Sequence, residues 1–216
     1  VTVRSGTQAV ATLTSDAGLL VSAGTLSVAG DLQLRGGLRQ SGGNLLLAGP
    51  GTVQGGLSLE GGVAAVNGAL DIDSLALAGG TLAGTGAVAV AGSSSWTAGT
   101  LLGAGTLSFN GDLAIGGPAD KIINLDRVLN LLGTTTWSGN TSTDTNSFYA
   151  GPATVNNFGT FIDANEFDTI MRDWYSGDRM VFNNSGTYRK TGASTTTLEL
   201  TFNNTGTIDV QAGRLQ

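Results

Sequence analysis

The sequence predicts an all-β chain wound as a single right-handed parallel β-helix, a β-solenoid of about 20 residues per coil and roughly ten coils. Three observations predict it. Glycine recurs every six or seven residues, short alternating apolar pairs sit between the glycines, and longer words in the C-terminal third repeat at the length of one coil.

The glycine beat comes first. Gly18, Gly24, Gly30, Gly36 and Gly42 are spaced by six, and the beat continues through Gly49, Gly55, Gly61 and Gly68 and then from Gly80 to Gly117. Between these glycines lie Leu26 and Val28, Leu32 and Leu34, Leu45 and Leu47, Leu57 and Leu59, Leu70 and Ile72, Val88 and Val90, and Leu113 and Ile115. A period of two places each pair on one face of a strand and the polar residue between them on the other. Strands this short cannot bury themselves. A coil with three short sides can, if glycine supplies each corner by accepting positive φ at no steric cost. Successive coils then pair as parallel strands about 4.8 Å apart.

The C-terminal words fix the coil length. Val155-Asn156-Asn157-Phe158-Gly159-Thr160 is echoed by Phe182-Asn183-Asn184-Ser185-Gly186-Thr187 and again by Phe202-Asn203-Asn204-Thr205-Gly206-Thr207. The last two are one coil apart (202 − 182 = 20), and the first two carry about seven extra residues (182 − 155 = 27). Trp96 and Trp137 stand two coils apart (137 − 96 = 41). One solenoid over residues 1–216 follows, with plain glycine-cornered coils in 1–118 and aromatic- and Asn-rich coils in 119–216. An insertion is expected near 165–180, where Phe167–Met171 reads as a short helical turn, and Asp120–Leu132 reads as a second irregular segment.

From Thr134 to Gln216 the sequence resembles the β-strand-repeat segments of very large bacterial surface proteins. The likeness rests on Phe202-Asn203-Asn204-Thr205-Gly206-Thr207-Ile208-Asp209-Val210-Gln211-Ala212-Gly213 and on Gly186-Thr187-Tyr188-Arg189-Lys190-Thr191-Gly192. The word Ala23-Gly24-Thr25-Leu26-Ser27-Val28-Ala29-Gly30 is similar to the looser repeats of the same proteins. More distantly the chain resembles autotransporter passengers and filamentous-haemagglutinin-like adhesins. The resemblance implies an exported, β-helical protein of the bacterial cell surface and brings no catalytic motif.

Composition narrows the function. With 35 glycines, 40% hydrophobic residues and a mean hydropathy of +0.14, the chain is too apolar for a disordered tail. A net charge of −6 and a pI near 4.4 argue against nucleic acid or an anionic membrane as partner. No run approaches the roughly 18 apolar residues of a membrane span, so direct membrane insertion is not expected. Cysteine and histidine are both absent, which removes disulfides, thiolate chemistry and the commonest general base and metal ligand. No signal peptide is visible, and the chain starts at Val1 and stops inside its own pattern, as a segment of something longer would.

Few residues suggest chemistry. The paired amides Asn156 and Asn157, Asn183 and Asn184, and Asn203 and Asn204 are expected to stack from coil to coil as a structural ladder, because an amide both donates and accepts along the stacking axis. Asp71 and Asp73 face the same way and could bind Ca²⁺ or act on a glycoside, but no further acid sits nearby in sequence, and exposed charges that keep a sheet soluble are the ordinary explanation. The densest cluster contains Glu166, Asp168, Arg172, Asp173, Trp174, Tyr175, Asp178 and Arg179. Of these, Arg172, Asp173, Trp174, Tyr175 and Arg179 are the candidate ligand-binding residues, since aromatic faces beside charges suit a glycan or a protein surface. The competing reading has Phe167, Ile170 and Trp174 merely pinning the loop to the wall.

The expectation is therefore a non-catalytic structural or adhesive rod, extracellular or on the cell surface, with no cofactor and no metal. Its partners would be a glycan or a surface protein of a host or neighbouring cell. Two alternatives stand beside it. One is a carbohydrate-binding or carbohydrate-cleaving β-helix of lyase or tailspike type, which would need Asp163, Asp168, Asp173 and Asp178 to converge in a groove. The other is a fibre subunit that self-associates head to tail through the unpaired strands at its ends.

Overall fold

The computed structural model describes residues 1–139, 148–173 and 180–216. Among them are thirty short strands, all paired in parallel, and no helix. They form a β-solenoid of about eleven turns with roughly nineteen residues per turn.

Each turn has three sides, and the strands stack into three faces. The first runs from Thr2–Val3 through Leu19–Val21, Leu38–Gln40 and Leu57–Leu59 up to Thr134–Trp137, Thr160–Asp163, Thr187–Lys190 and Thr207–Val210. The second begins at Thr7–Val10 and reaches Phe148–Ala150, Thr169–Asp173 and Thr195–Glu199. The third begins at Leu13–Ser15 and ends with Arg127–Leu131, Ala153–Asn157, Met180–Asn184 and Thr201–Asn204. Two nine-residue strands, Leu75–Ala83 and Ser94–Leu102, bend around the corner between the first and second faces and join them into one sheet.

Alternation decides what fills the interior. Leu32 and Leu34 are buried with Gln33 exposed between them, and Leu70 and Ile72 flank exposed Asp71 in the same way. In the N-terminal half the core is a pile of Leu, Val and Ile. In the C-terminal half aromatic rings take over. Trp137 meets Phe148 edge-on at 5.0 Å, Phe161 stacks on Tyr188 at 5.3 Å, and Phe182 stacks on Phe202 at 5.3 Å. Longer coils accompany these larger side chains: Thr106 pairs with Val128 (128 − 106 = 22) and Ala153 with Met180 (180 − 153 = 27), before Phe182 pairs with Phe202 (202 − 182 = 20).

The corners need glycine for two separate reasons, only one of which is conformational. Gly24, Gly43, Gly62, Gly80 and Gly99 stack at the corner between the first and second faces, all with positive φ. At the next corner Gly49, Gly68 and Gly86 have ordinary φ, but a Cβ on Gly68 would lie 2.0 Å from the carbonyl oxygen of Gly49. That column is glycine because consecutive turns touch backbone to backbone.

Two boundaries differ from the sequence expectation. Thr169–Asp173 is not a helical turn laid over the coil; it is a second-face strand, with Met171 in register with Phe148 and Thr196 with Thr169. Its alternation is regular, Thr169 and Met171 inward and Arg172 outward, and the density of charges around it hid that period. Asp120–Leu132 is likewise not irregular. It supplies the strands Lys121–Asn124 and Arg127–Leu131, joined by a tight turn in which Leu125 and Asp126 both take positive φ.

Candidate functional site

The asparagine pairs form two parallel ladders on the third face. Residues at outward positions make the outer one: Asn203 Nδ2 donates to Asn183 Oδ1, Asn183 to Asn156 and Asn156 to Asn130, each at 2.9 Å. Asn130 in turn donates to the Ser108 hydroxyl at 3.1 Å, so this ladder runs two rungs further than the Asn-Asn words. The inner ladder has the opposite polarity. Asn157 Nδ2 donates to Asn184 Oδ1 at 2.7 Å, and Asn184 Nδ2 donates to Asn204 Oδ1 at 2.6 Å. The inner amides also cap the corner, through Asn157 to the Thr187 carbonyl and Asn184 to the Thr207 carbonyl, both at 3.0 Å. Leu131, one rung below Asn157, has no polar group to offer, and Asn157 Oδ1 is left buried without a hydrogen bond.

Of the candidate ligand-binding residues, Arg172 lies exposed on the second face, and Asp173 ends the same strand. Trp174, Tyr175 and Arg179 lie outside the described residues, as does Asp178. Arg172 belongs to an outward column in register, Tyr149, Arg172 and Glu199. Its guanidinium sits 4.9 Å from the centre of the Tyr149 ring and donates to the Tyr149 hydroxyl at 3.2 Å. Tyr149 is buried and its ring lies against the Arg172 guanidinium, so the column presents outward only a cation beside a carboxylate, Arg172 and Glu199, a pair able to meet a polar group. Tyr149 was not among the residues read from the sequence, because only the register brings it beneath Arg172.

Asp163 and Asp168 do not share a groove. Asp163 is fully buried inside the coil, whereas Asp168 lies outside and accepts from the Thr195 amide at 2.7 Å. Asp71 and Asp73 are exposed on the third face, with no third acid beside them. Among the described residues, no group of three or more His, Cys, Asp or Glu side chains is placed to hold a metal ion.

Inside the coil, alternation has placed charged residues among the core positions. Lys121 and Arg127 are buried. Arg127 donates to the Leu82 carbonyl at 3.2 Å and to the Leu102 carbonyl, where it spans the coil below its own. Desolvation brings its pKa down to about 10, still charged at neutral pH. Desolvation also brings the Lys121 ammonium down to about 8, partly offset by the charge of Asp120. The largest polar group is the buried set around Asp163 and Lys190, with Asn165, Ser194, Thr196 and Tyr188. Burial, and then the charge and hydrogen bond of Asp163, push the Tyr188 phenol well above its ordinary value. The sequence held the signal for this set, since in Phe161-Ile162-Asp163 and Tyr188-Arg189-Lys190 a period of two turns the third residue inward.

Comparison of the chain with protein-family models, with curated proteins and with solved structures returned no match in any of the three.

Proposed function

We propose that the chain is a rigid rod segment of an exported bacterial surface protein, working as a stalk that carries contact groups on its outer faces. The single observation that supports this most is the continuity of the coil. Inward positions stack in register through every turn, from Val3 and Val21 to Tyr188 and Lys190, so the stack behaves as one body about 50 Å long at about 4.8 Å per turn. A stack of this kind transmits load along its axis, because each turn is held by the next. The exposed Arg172 and Glu199, in register beside the buried Tyr149, are the proposed contact surface, toward a glycan or a protein on another surface.

Antibody labelling of the producing cells tests the surface assignment. Signal on intact cells is expected. Signal only after permeabilisation would overturn it. A glycan array probed with the wild type and with Arg172→Ala separates a binding stalk from a passive one.

A further inference from the structure

The pair at the centre of the buried polar set does not have the geometry of an ordinary ion pair. Asp163 and Lys190 lie in register on consecutive turns, and both side chains are completely buried. Charge-assisted contacts between ammonium and carboxylate normally close to about 2.7–2.9 Å. Here Lys190 Nζ stands 3.6 Å from Asp163 Oδ2, and its hydrogen bond goes to the Ser194 hydroxyl at 3.2 Å. Other donors occupy the carboxylate. Oδ2 accepts from the Thr196 hydroxyl at 2.5 Å and from the Tyr188 hydroxyl at 3.1 Å. Oδ1 accepts from the Asn165 backbone amide at 3.3 Å and from Asn165 Nδ2 at 3.0 Å. The amine is thus pressed against a carboxyl group whose two oxygens are held differently, one by two amide N–H groups and the other by two hydroxyls.

We infer that Lys190 and Asp163 condense into an intramolecular isopeptide bond that staples two consecutive turns. The condensation begins with transfer of one proton from the Lys190 ammonium to Asp163 Oδ2, which leaves an amine beside a carboxylic acid. Nζ then attacks Cγ. The negative charge that develops on Oδ1 falls where the two Asn165 N–H groups already point, an arrangement that stabilises an acyl-transfer intermediate. The Cγ–Oδ2 bond breaks as a second proton passes from Nζ to Oδ2 by way of the hydroxyls, and one water leaves. One ammonium and one carboxylate become one neutral amide and one water, with no oxidant or co-reactant. Confinement in fixed contact replaces external activation of the acid, and the product removes two buried charges. In a chain without cysteine, such a bond would be a covalent tie between rungs that does not depend on redox conditions.

Intact mass spectrometry of the purified chain, followed by tryptic mapping, tests this directly. The expected mass is lower than the sequence mass by one water. The map should contain residues 128–172 joined to residues 190–214, with the site after Lys190 uncut because its amine is acylated. Lys190→Met should have the full mass of its own sequence, with no water lost, and Thr196→Val should leave a larger uncondensed fraction in a chain of unchanged circular dichroism. An unmodified wild-type mass would overturn the inference. Loss of one ammonia instead of one water would overturn Asp163 as the acyl donor, because the bond would then run to Asn165. The readout is indifferent to what the rod binds, so its failure would leave the stalk reading untouched.

Discussion

Replacing Asn184 by alanine separates the inner ladder from the outer one. The Asn184 side chain is buried and makes three hydrogen bonds, to Asn157, Asn204 and the Thr207 carbonyl. At about 1 kcal/mol net for each, Asn184→Ala costs about 3 kcal/mol. Asn157 keeps its bond to the Thr187 carbonyl, and Asn204 is exposed and can turn to water, which keeps the cost from rising further. Asn183 is only half-buried and makes two bonds, to Asn156 and Asn203, that water can replace. Asn183→Ala should therefore cost less than about 1 kcal/mol. Urea unfolding followed by tryptophan fluorescence reads both values, and hydrogen exchange at Ser185 and Gly186, whose amides bond to the Asn157 carbonyl, localises the loss. Equal costs for the two variants would refute the reasoning, because burial would then not be what sets the strength of an amide rung.

Three further outcomes follow from the packing. Gly68→Ala drives a Cβ to 2.0 Å from the Gly49 carbonyl oxygen and should cost more than about 2 kcal/mol, whereas Gly116→Ala, whose nearest atom would be 3.2 Å away, should stay within about 1 kcal/mol; thermal melting compares them. Phe161→Ala removes a ring in contact with Trp137, Phe182 and Tyr188 and should cost about 3–5 kcal/mol with loss of near-ultraviolet dichroism, and a cost under about 1 kcal/mol would contradict a packed aromatic core. Lys121 has a folded pKa of about 8 against an ordinary 10.5, so between those values the unfolded chain binds the extra proton and stability rises with pH. Below pH 8 the buried charge costs up to about 3 kcal/mol, and Lys121→Met should raise the melting temperature there and flatten the rise between pH 8 and 10.5.

The fold was legible because its physics is periodic. The word beginning at Phe182 and its repeat at Phe202 give the coil length, and the observed register pairs those two residues. Trp96 and Trp137, two coils apart in the sequence, are joined in the structure through Ile115. The role of glycine was only half legible: positive φ explains Gly43 and Gly62, but the contact of Gly68 on Gly49 depends on which turn lies below, and spacing alone does not show it. The strand at Thr169–Asp173 was misread because Glu166, Asp168, Arg172 and Asp173 made a paired segment look like a surface loop. Asp163, read as a possible groove acid, and Lys190, not singled out, are both buried, and their burial was missed for the opposite reason. Charged residues are assigned outward by default, although the alternation on both strands turns them inward.

The central claim is that the chain is a rod whose length grows by one strand spacing per turn, and spin-label distances measure that directly. Thr14, Ser108 and Asn203 occupy the same outward column of the third face, Ser108 five rungs and Asn203 nine rungs from Thr14. The chain has no native cysteine, so Thr14→Cys paired with Ser108→Cys or with Asn203→Cys labels cleanly. Double electron–electron resonance should give distances near 24 Å and 43 Å, at about 4.8 Å per rung. Two similar distances, or a longer pair that is no farther apart than the shorter one, would contradict the solenoid itself.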